Sequence, residues 1–260
     1  MASTPPPRVL LIGIDFYQPG TVCTNSEGKA VKINNLQGCV EDVTNIQSHF
    51  LNILKVPPEN ITILTSRSPQ PHTPLTDAED AFTATAENIR AALRNLVETT
   101  PADTPIYIHY SGHGARSPTS YPKLKGSVKA WDECLVPCDA RCGGPVIRDV
   151  ELGDVLHQMS QKGLFVTLVL DCCHSGGATR DDDDENNEAG LAFRCLEENW
   201  PVRDAAMSAC QLEDSVKLEL CRETQKVWWD KPGAYEIIAA CEANQKAGER
   251  DGHGLLYTSL

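Results

Sequence analysis

A chain of 260 residues with 41% hydrophobic composition can bury one substantial core and is short for two. Its 23 basic and 36 acidic residues leave a net charge of −13, which argues against a nucleic-acid partner and favours cationic ligands. Eleven cysteines is an odd number, and the Ser/Thr/Pro-rich first residues carry no basic run, so the cysteines read as reduced thiols in cytoplasm or nucleus. The apolar stretch at 9–14 is too short for a signal-peptide core or a membrane span, so no membrane association is expected.

In chain order, residues 1–7 read as a disordered start. Residues 8–16 (RVLLIGIDF) follow as a buried strand ended by Gln-Pro-Gly. Residues 38–54 carry Val40, Val43, Ile46, Phe50 and Leu54 near helical spacing. A short strand at 60–64 precedes an amphipathic helix at 86–97 with Thr85 as its cap. Residues 106–110 (IYIHY) form a strand, and 150–162 a helix stopped by Gly163. Residues 164–170 (LFVTLVL) are the clearest buried strand, and 235–240 (YEIIAA) another. Strands separated by helical crossovers predict an α/β fold, with a mostly parallel central sheet and helices on both faces. The rhythm breaks between Gly176 and Gly233, so 178–233 reads as an insertion at the active edge, with a short helix near 210–221. After a Gly-rich turn at 248–254, residues 255–260 read as the beginning of a helix. The whole reads as one domain, and nothing suggests a dimer.

Two motifs carry chemistry. Tyr110-Ser111-Gly112-His113-Gly114 follows one predicted strand, and Asp171-Cys172-Cys173-His174-Ser175-Gly176-Gly177 follows another. The carboxyl edge of a parallel sheet is where α/β folds bind ligands, so the two can converge there. A thiol becomes a useful nucleophile beside a histidine, which later protonates the leaving amine. His113 and Cys173 are the candidate pair. The Gly114 and Cys173 amides are candidates to hold an oxyanion. Strand alternation places Asp171 and Cys173 on one face and Cys172 on the other, which sends Cys172 into the core. An anion beside the nucleophile would raise its pKa, so Asp171 needs another task. Pairing with a cationic substrate side chain is the obvious one.

These motifs resemble the metacaspases, caspase-like cysteine peptidases, over most of the chain from Val9 to about Gln245. The resemblance extends to Gly38-Cys39-Val40-Glu41-Asp42, to Trp131-Asp132-Glu133 and to Ala240-Cys241. It implies the caspase-like fold and a Cys173–His113 dyad acting through an acyl-enzyme. It also implies a pocket for a basic side chain lined by Cys39, Asp42, Ser111 and Asp171. Protein or peptide substrates with Arg or Lys at the cleavage site follow, since buried carboxylates select a cation and reject an acid. The competing reading of Asp42 is the solvated face of its helix.

The same resemblance implies calcium as a cofactor, with Asp132, Asp149 and Asp181 as candidate ligands. One family position falls on Arg148, which cannot ligate a cation, although calcium wants six to eight oxygens. Arg180, Arg194, Arg203, Lys217 and Arg222 in the insertion are places where such an enzyme could cut itself.

Other chemistries fit less well. A cysteine phosphatase needs an arginine one residue nearer than Arg180. Cys134, Cys138 and Cys142 lack the paired spacing of a zinc site. The alternative from another class is a non-catalytic caspase-like scaffold.

Overall fold

The computed structural model describes residues 5–20, 23–24, 28–67, 82–125, 127, 129–142, 145–173, 191–196, 235–240, 247–250 and 253–256. Most of the expected insertion lies outside the described residues, including Asp181, the acidic run and the stretch at 210–221.

Strand β1 (Arg8–Ile14) is continuously apolar because both its faces are covered; six of its seven residues are buried. A small hairpin of β2 (Cys23–Thr24) and β3 (Ala30–Val31) leads to helix α1 (Cys39–Asn52). Strand β4 (Ile61–Ser66) follows, then helix α2 (Ala86–Thr99), whose Thr85 cap accepts from the Asn88 amide. Strand β5 (Pro105–Ser111) comes next. Strand β6 (Gly114–Pro118), the one-turn helix α3 (Pro122–Lys125), strand β7 (Trp131–Leu135) and strand β8 (Ile147–Arg148) precede helix α4 (Asp149–Gln161). Strand β9 (Phe165–Asp171), short β10 (Leu191–Phe193), β11 (Tyr235–Ala239), β12 (Gly248–Arg250) and β13 (His253–Gly254) complete the described elements.

The central sheet has the order β11-β9-β5-β1-β4, and every pairing in it is parallel. One face packs Val9 and Leu11 against Val43 and Phe50 of α1. The other packs Leu10, Ile12, Ile106, Ile108 and Leu168 against Ile89 and Leu93 of α2 and Leu152, Leu156 and Met159 of α4. Each such side chain, moved from water to this core, contributes roughly 1.5–3 kcal/mol. The mixed α/β architecture with helices on both faces matches the expectation.

From β1 the chain passes to β4 on one side and then returns to place β5 on the other. The order therefore reverses between β1 and β5, and a crevice opens beyond their carboxyl ends. Three smaller pieces border it. The β6-β7-β8 sheet starts directly after β5, the β2-β3 hairpin follows β1, and β10-β12-β13 form an antiparallel sheet.

Helix α1 approaches β1 closely only because position 13 is glycine. A Cβ there would fall 2.6 Å from the Cys39 carbonyl oxygen and 2.6 Å from Val43 Cγ2. The start of the helix would have to move outward, taking Asp42 with it. A Gly13→Ala substitution, in protein whose Cys173 is replaced by alanine, is expected to lower stability by about 1–3 kcal/mol. Urea unfolding checks it; an unchanged midpoint would mean the helix does not bear on that backbone.

Candidate active site

In the register of the central sheet Ser111 of β5 stands opposite Asp171 of β9. His113 and Cys173 are each two residues beyond that pair. Neighbouring strands lie about 4.8 Å apart, so the two motifs share one sheet edge. Both residues are buried, with His113 2% exposed and Cys173 0%.

His113 is anchored through its backbone. Its amide donates to Tyr17 Oη at 2.8 Å, and Tyr110 Oη donates to its carbonyl at 2.7 Å. Its ring Nε2 lies 2.8 Å from the Asn34 carbonyl oxygen. A carbonyl only accepts, so Nε2 carries the proton and Nδ1 is left as the base. Nδ1 is buried and makes no hydrogen bond among the described residues. Burial lowers the His113 pKa to about 4, against the opposing pull of the Asn34 carbonyl. The ring is therefore neutral near pH 7 and able to take a proton.

Cys173 Sγ rests against the backbone of Ala247: the thiol donates to its carbonyl at 3.3 Å, and the Ala247 amide points at the sulfur. Cys172 packs into the main hydrophobic cluster.

Arg194 fills the crevice. Its carbonyl oxygen accepts from the Gly114 and Cys173 amides, both at 3.1 Å. Its amide donates to Ala247 O at 3.0 Å, and the Leu196 amide donates to Gly114 O at 3.1 Å. Just before it, β10 runs antiparallel to β12, pairing Leu191 with Arg250 and Phe193 with Gly248. Residues 191–196 thus lie along the site as an extended strand, held by backbone bonds on both sides of Arg194.

The Arg194 side chain is 0% exposed. Nη1 forms an ion pair with Asp171 at 2.7 Å and donates to Ser111 Oγ at 2.7 Å. Nη2 donates to Asp42 at 2.9 Å and to Glu249 at 3.3 Å. Cys39 borders the same pocket; burial pushes its thiol pKa well up, and the Arg194 charge pulls it back. Cys39, Asp42, Ser111 and Asp171 therefore come together around one guanidinium. Asp42 is fully buried, not on a solvated helix face, and also accepts from the Gly254 amide at 2.9 Å.

Besides Tyr17 and Asn34, which hold His113, three contributors at the pocket and the sulfur escaped sequence reasoning. Glu249 bridges the guanidinium and the Gln37 and Gly38 amides that precede α1. Ala247 meets the nucleophile's sulfur. Gly254 roofs the pocket: a Cβ there would fall 2.2 Å from Asp171 Oδ2 and 2.4 Å from Arg194 Nη1. The available signal was Asp251-Gly252, a hairpin dipeptide between Arg250 and His253. Strand β12 pairs antiparallel with β13, Glu249 facing Gly254, and both residues lie against the pocket.

Away from this crevice, Asp132 of β7 and Asp149 at the start of α4 lie in one buried cluster. Arg148 Nη1 donates to Asp132 Oδ2 at 2.7 Å and to Pro118 O at 3.1 Å, and its Nη2 donates to Ser117 Oγ at 3.2 Å. Lys125 pairs with Asp149 and lies 4.0 Å from Asp132 Oδ1. Asp149 Oδ1 accepts from the Val150 amide at 2.7 Å. These residues do not fit a divalent cation, which would meet a guanidinium where it needs oxygen ligands. No group of three or more His, Cys, Asp or Glu able to hold a metal occurs among the described residues. Cys134 and Cys138 are buried in the core.

Comparison with known proteins identifies the family. The chain is 33% identical to metacaspase-7 of Arabidopsis thaliana over 171 residues, covering 65% of this chain and 35% of the relative. It is 30% identical to metacaspase-1A of Aspergillus oryzae over 172 residues, covering 66% and 35%. The match thus spans about a third of the length of these curated relatives. A solved structure from Geobacter sulfurreducens covers 98% of this chain and 80% of its own, with a TM-score of 0.55 at 19% identity, and supports the fold. The profile of the metacaspase peptidase C14 domain matches residues 7–180, which include both motifs and the pocket's Cys39, Asp42, Ser111 and Asp171, and by that match the chain belongs to the metacaspase family.

Proposed function

We propose that this protein is a cysteine endopeptidase that cleaves after basic residues, arginine before lysine, and that its own Arg194–Cys195 bond is its first substrate. The observation that carries the reading is the seat of Arg194. A carbonyl between two amides beside a cysteine and a neutral histidine is the arrangement an acyl transfer needs. The guanidinium among three carboxylates gives that carbonyl its address.

The course follows from the chain's own atoms. His113 Nδ1 takes the Cys173 thiol proton, and Sγ attacks the carbonyl carbon. The oxyanion is held by the Gly114 and Cys173 amides. Breakage of the C–N bond sends the proton from His113 to the departing amine. Water, deprotonated by the same ring, then releases the carboxylate and restores the thiol. A neutral ring is required at the first step, and burial favours that state.

Preference for arginine over lysine rests on the number of acceptors. Asp171 and Ser111 serve Nη1 while Asp42 and Glu249 serve Nη2. A single ammonium nitrogen cannot occupy both positions. Until Arg194 leaves, the same contacts exclude other substrates, so cleavage after Arg194 is also the opening step.

Purified protein is expected to yield a fragment beginning at Cys195, and a Cys173→Ala protein is expected to stay whole, as read by intact-mass spectrometry. An identical fragment from the alanine protein would end the self-processing reading. Peptides ending in Arg, Lys or Asp separate the pocket assignment from the chemistry: kcat/KM should fall in that order. Asp171→Asn should lower kcat/KM on the arginine peptide by roughly a hundredfold, the scale of removing one partner of a buried charge pair. A preference for Asp would overturn the basic pocket. A folded protein hydrolysing none of the three would favour a non-catalytic scaffold.

The roof of the pocket gives a separate outcome. Gly254→Ala should abolish hydrolysis of arginine peptides with the circular dichroism spectrum unchanged, because its methyl group occupies guanidinium space. Full activity in that variant would mean the hairpin stands clear of bound substrate.

A further inference from the structure

The buried cluster of Asp132, Asp149, Lys125 and Arg148 has no part in the chemistry above, yet it adjoins it through one strand. Strand β6 begins at Gly114, whose amide faces the Arg194 carbonyl, and pairs along its length with β7. In that register Ser117 stands opposite Asp132, and Cys134 opposite Arg148 of β8. The Asp132–Arg148 ion pair and the Arg148–Ser117 bond therefore link all three strands of the small sheet. The Ser120 amide adds a further bond to Asp132 at 3.1 Å.

We propose that Lys125 and Arg148 stand permanently in the place the family resemblance gives to calcium, so that this protein holds its active-site strand without a divalent ion. Charge and donor count carry the inference. Among the described residues, two carboxylates against one ammonium and one guanidinium leave the cluster neutral, without the excess negative charge that draws a divalent cation into a buried site. Asp132 Oδ2, Pro118 O and Ser117 Oγ are the oxygens an ion would need, and each accepts a bond from Arg148. The Arg148 side chain is 4% exposed and the Lys125 side chain 16%. The ammonium can swing into solvent, but the guanidinium cannot leave without opening the sheet. Arg148 is therefore the residue that excludes the ion, and Lys125 compensates the charge that remains on Asp149.

Calcium titration followed by calorimetry and by thermal unfolding tests this on the Cys173→Ala protein, which keeps the chain whole. The expected result is no heat of binding and no rise in unfolding temperature at millimolar calcium. Saturable binding with a rise in unfolding temperature would overturn the proposal. In the unsubstituted protein, peptide hydrolysis should be unchanged by a calcium chelator; loss of activity restored by calcium would overturn it as well. Arg148→Asp, again with Cys173→Ala, replaces the guanidinium by a third carboxylate. That variant should gain stability as calcium is added, following the ligand-linkage relation. A folded Arg148→Asp protein indifferent to calcium would show that Arg148 is not what excludes the ion. If that variant does not fold, the titration without it decides the matter. None of these stability measurements depends on which peptide the active site cleaves.

Discussion

The structure turns on one buried cation. The Arg194 guanidinium lies among Asp42 from α1, Asp171 from β9 and Glu249 from β12, with Ser111 from β5 completing the set. Without it, three buried carboxylates would face one another across the pocket, with the His253 ring 3.1 Å from Asp42, a state with a large desolvation penalty. With it, four elements of different origin are drawn to one point. The pairing need not add stability over an apolar core, since desolvating four charges offsets much of their attraction. What it adds is specificity: only a forked cation satisfies acceptors on both sides of the cavity.

The same contact sets the backbone. Holding Nη1 and Nη2 fixes the side chain, and the side chain fixes where the Arg194 carbonyl can lie. It lies between the Gly114 and Cys173 amides, which follow the paired Ser111 and Asp171 by three residues and by two. The register of β5 against β9 thus brings Cys173, His113, the Gly114 amide and half of the pocket together around Arg194. Tyr17 and Tyr110 hold His113 beyond the end of β5, gripping its backbone from either side and leaving its ring to the Asn34 carbonyl. Burial keeps that ring neutral. An enclosed occupant therefore supports its own prospective cleavage in the proposed reaction, by excluding water from the base.

Much of this was legible in the sequence, and what was not has a physical reason. The buried strands, the crossover helices and the two glycine-flanked motifs are local features, each written in a few consecutive residues. Asp171 belongs to one of those motifs, whereas Asp42 could be picked out only through the family resemblance, and only the fold shows it buried. Glu249 and Gly254 sit in a stretch with no apolar periodicity. Their meaning comes entirely from a hairpin laid across the pocket from the far end of the chain. Arg194 was one basic residue among five in a long connection. Nothing in its neighbours distinguishes it, since its selection depends on which segment reaches β12 with an extended backbone.

Two places where the family resemblance implies a cation from outside, the substrate's side chain and the metal, are both met by arginines of this chain. Their settings differ in what lets the cation leave. Arg194 is held by its side chain but joined to Cys195 by a bond that lies at the site itself, so the proposed reaction can cut its tether. After that the fragment's new end competes with free substrate as an ordinary ligand. Arg148 ends β8, and α4 begins at the next residue, with the core of Val150, Leu152 and Leu156 directly behind it. Withdrawing the guanidinium would break its bonds to Asp132 of β7 and to Ser117 and Pro118 of β6. One arginine is therefore a removable occupant and the other part of the frame. In the two proposals taken together, the site opens by proteolysis of its own strand, and Arg148 braces β6 where the family resemblance implies an ion.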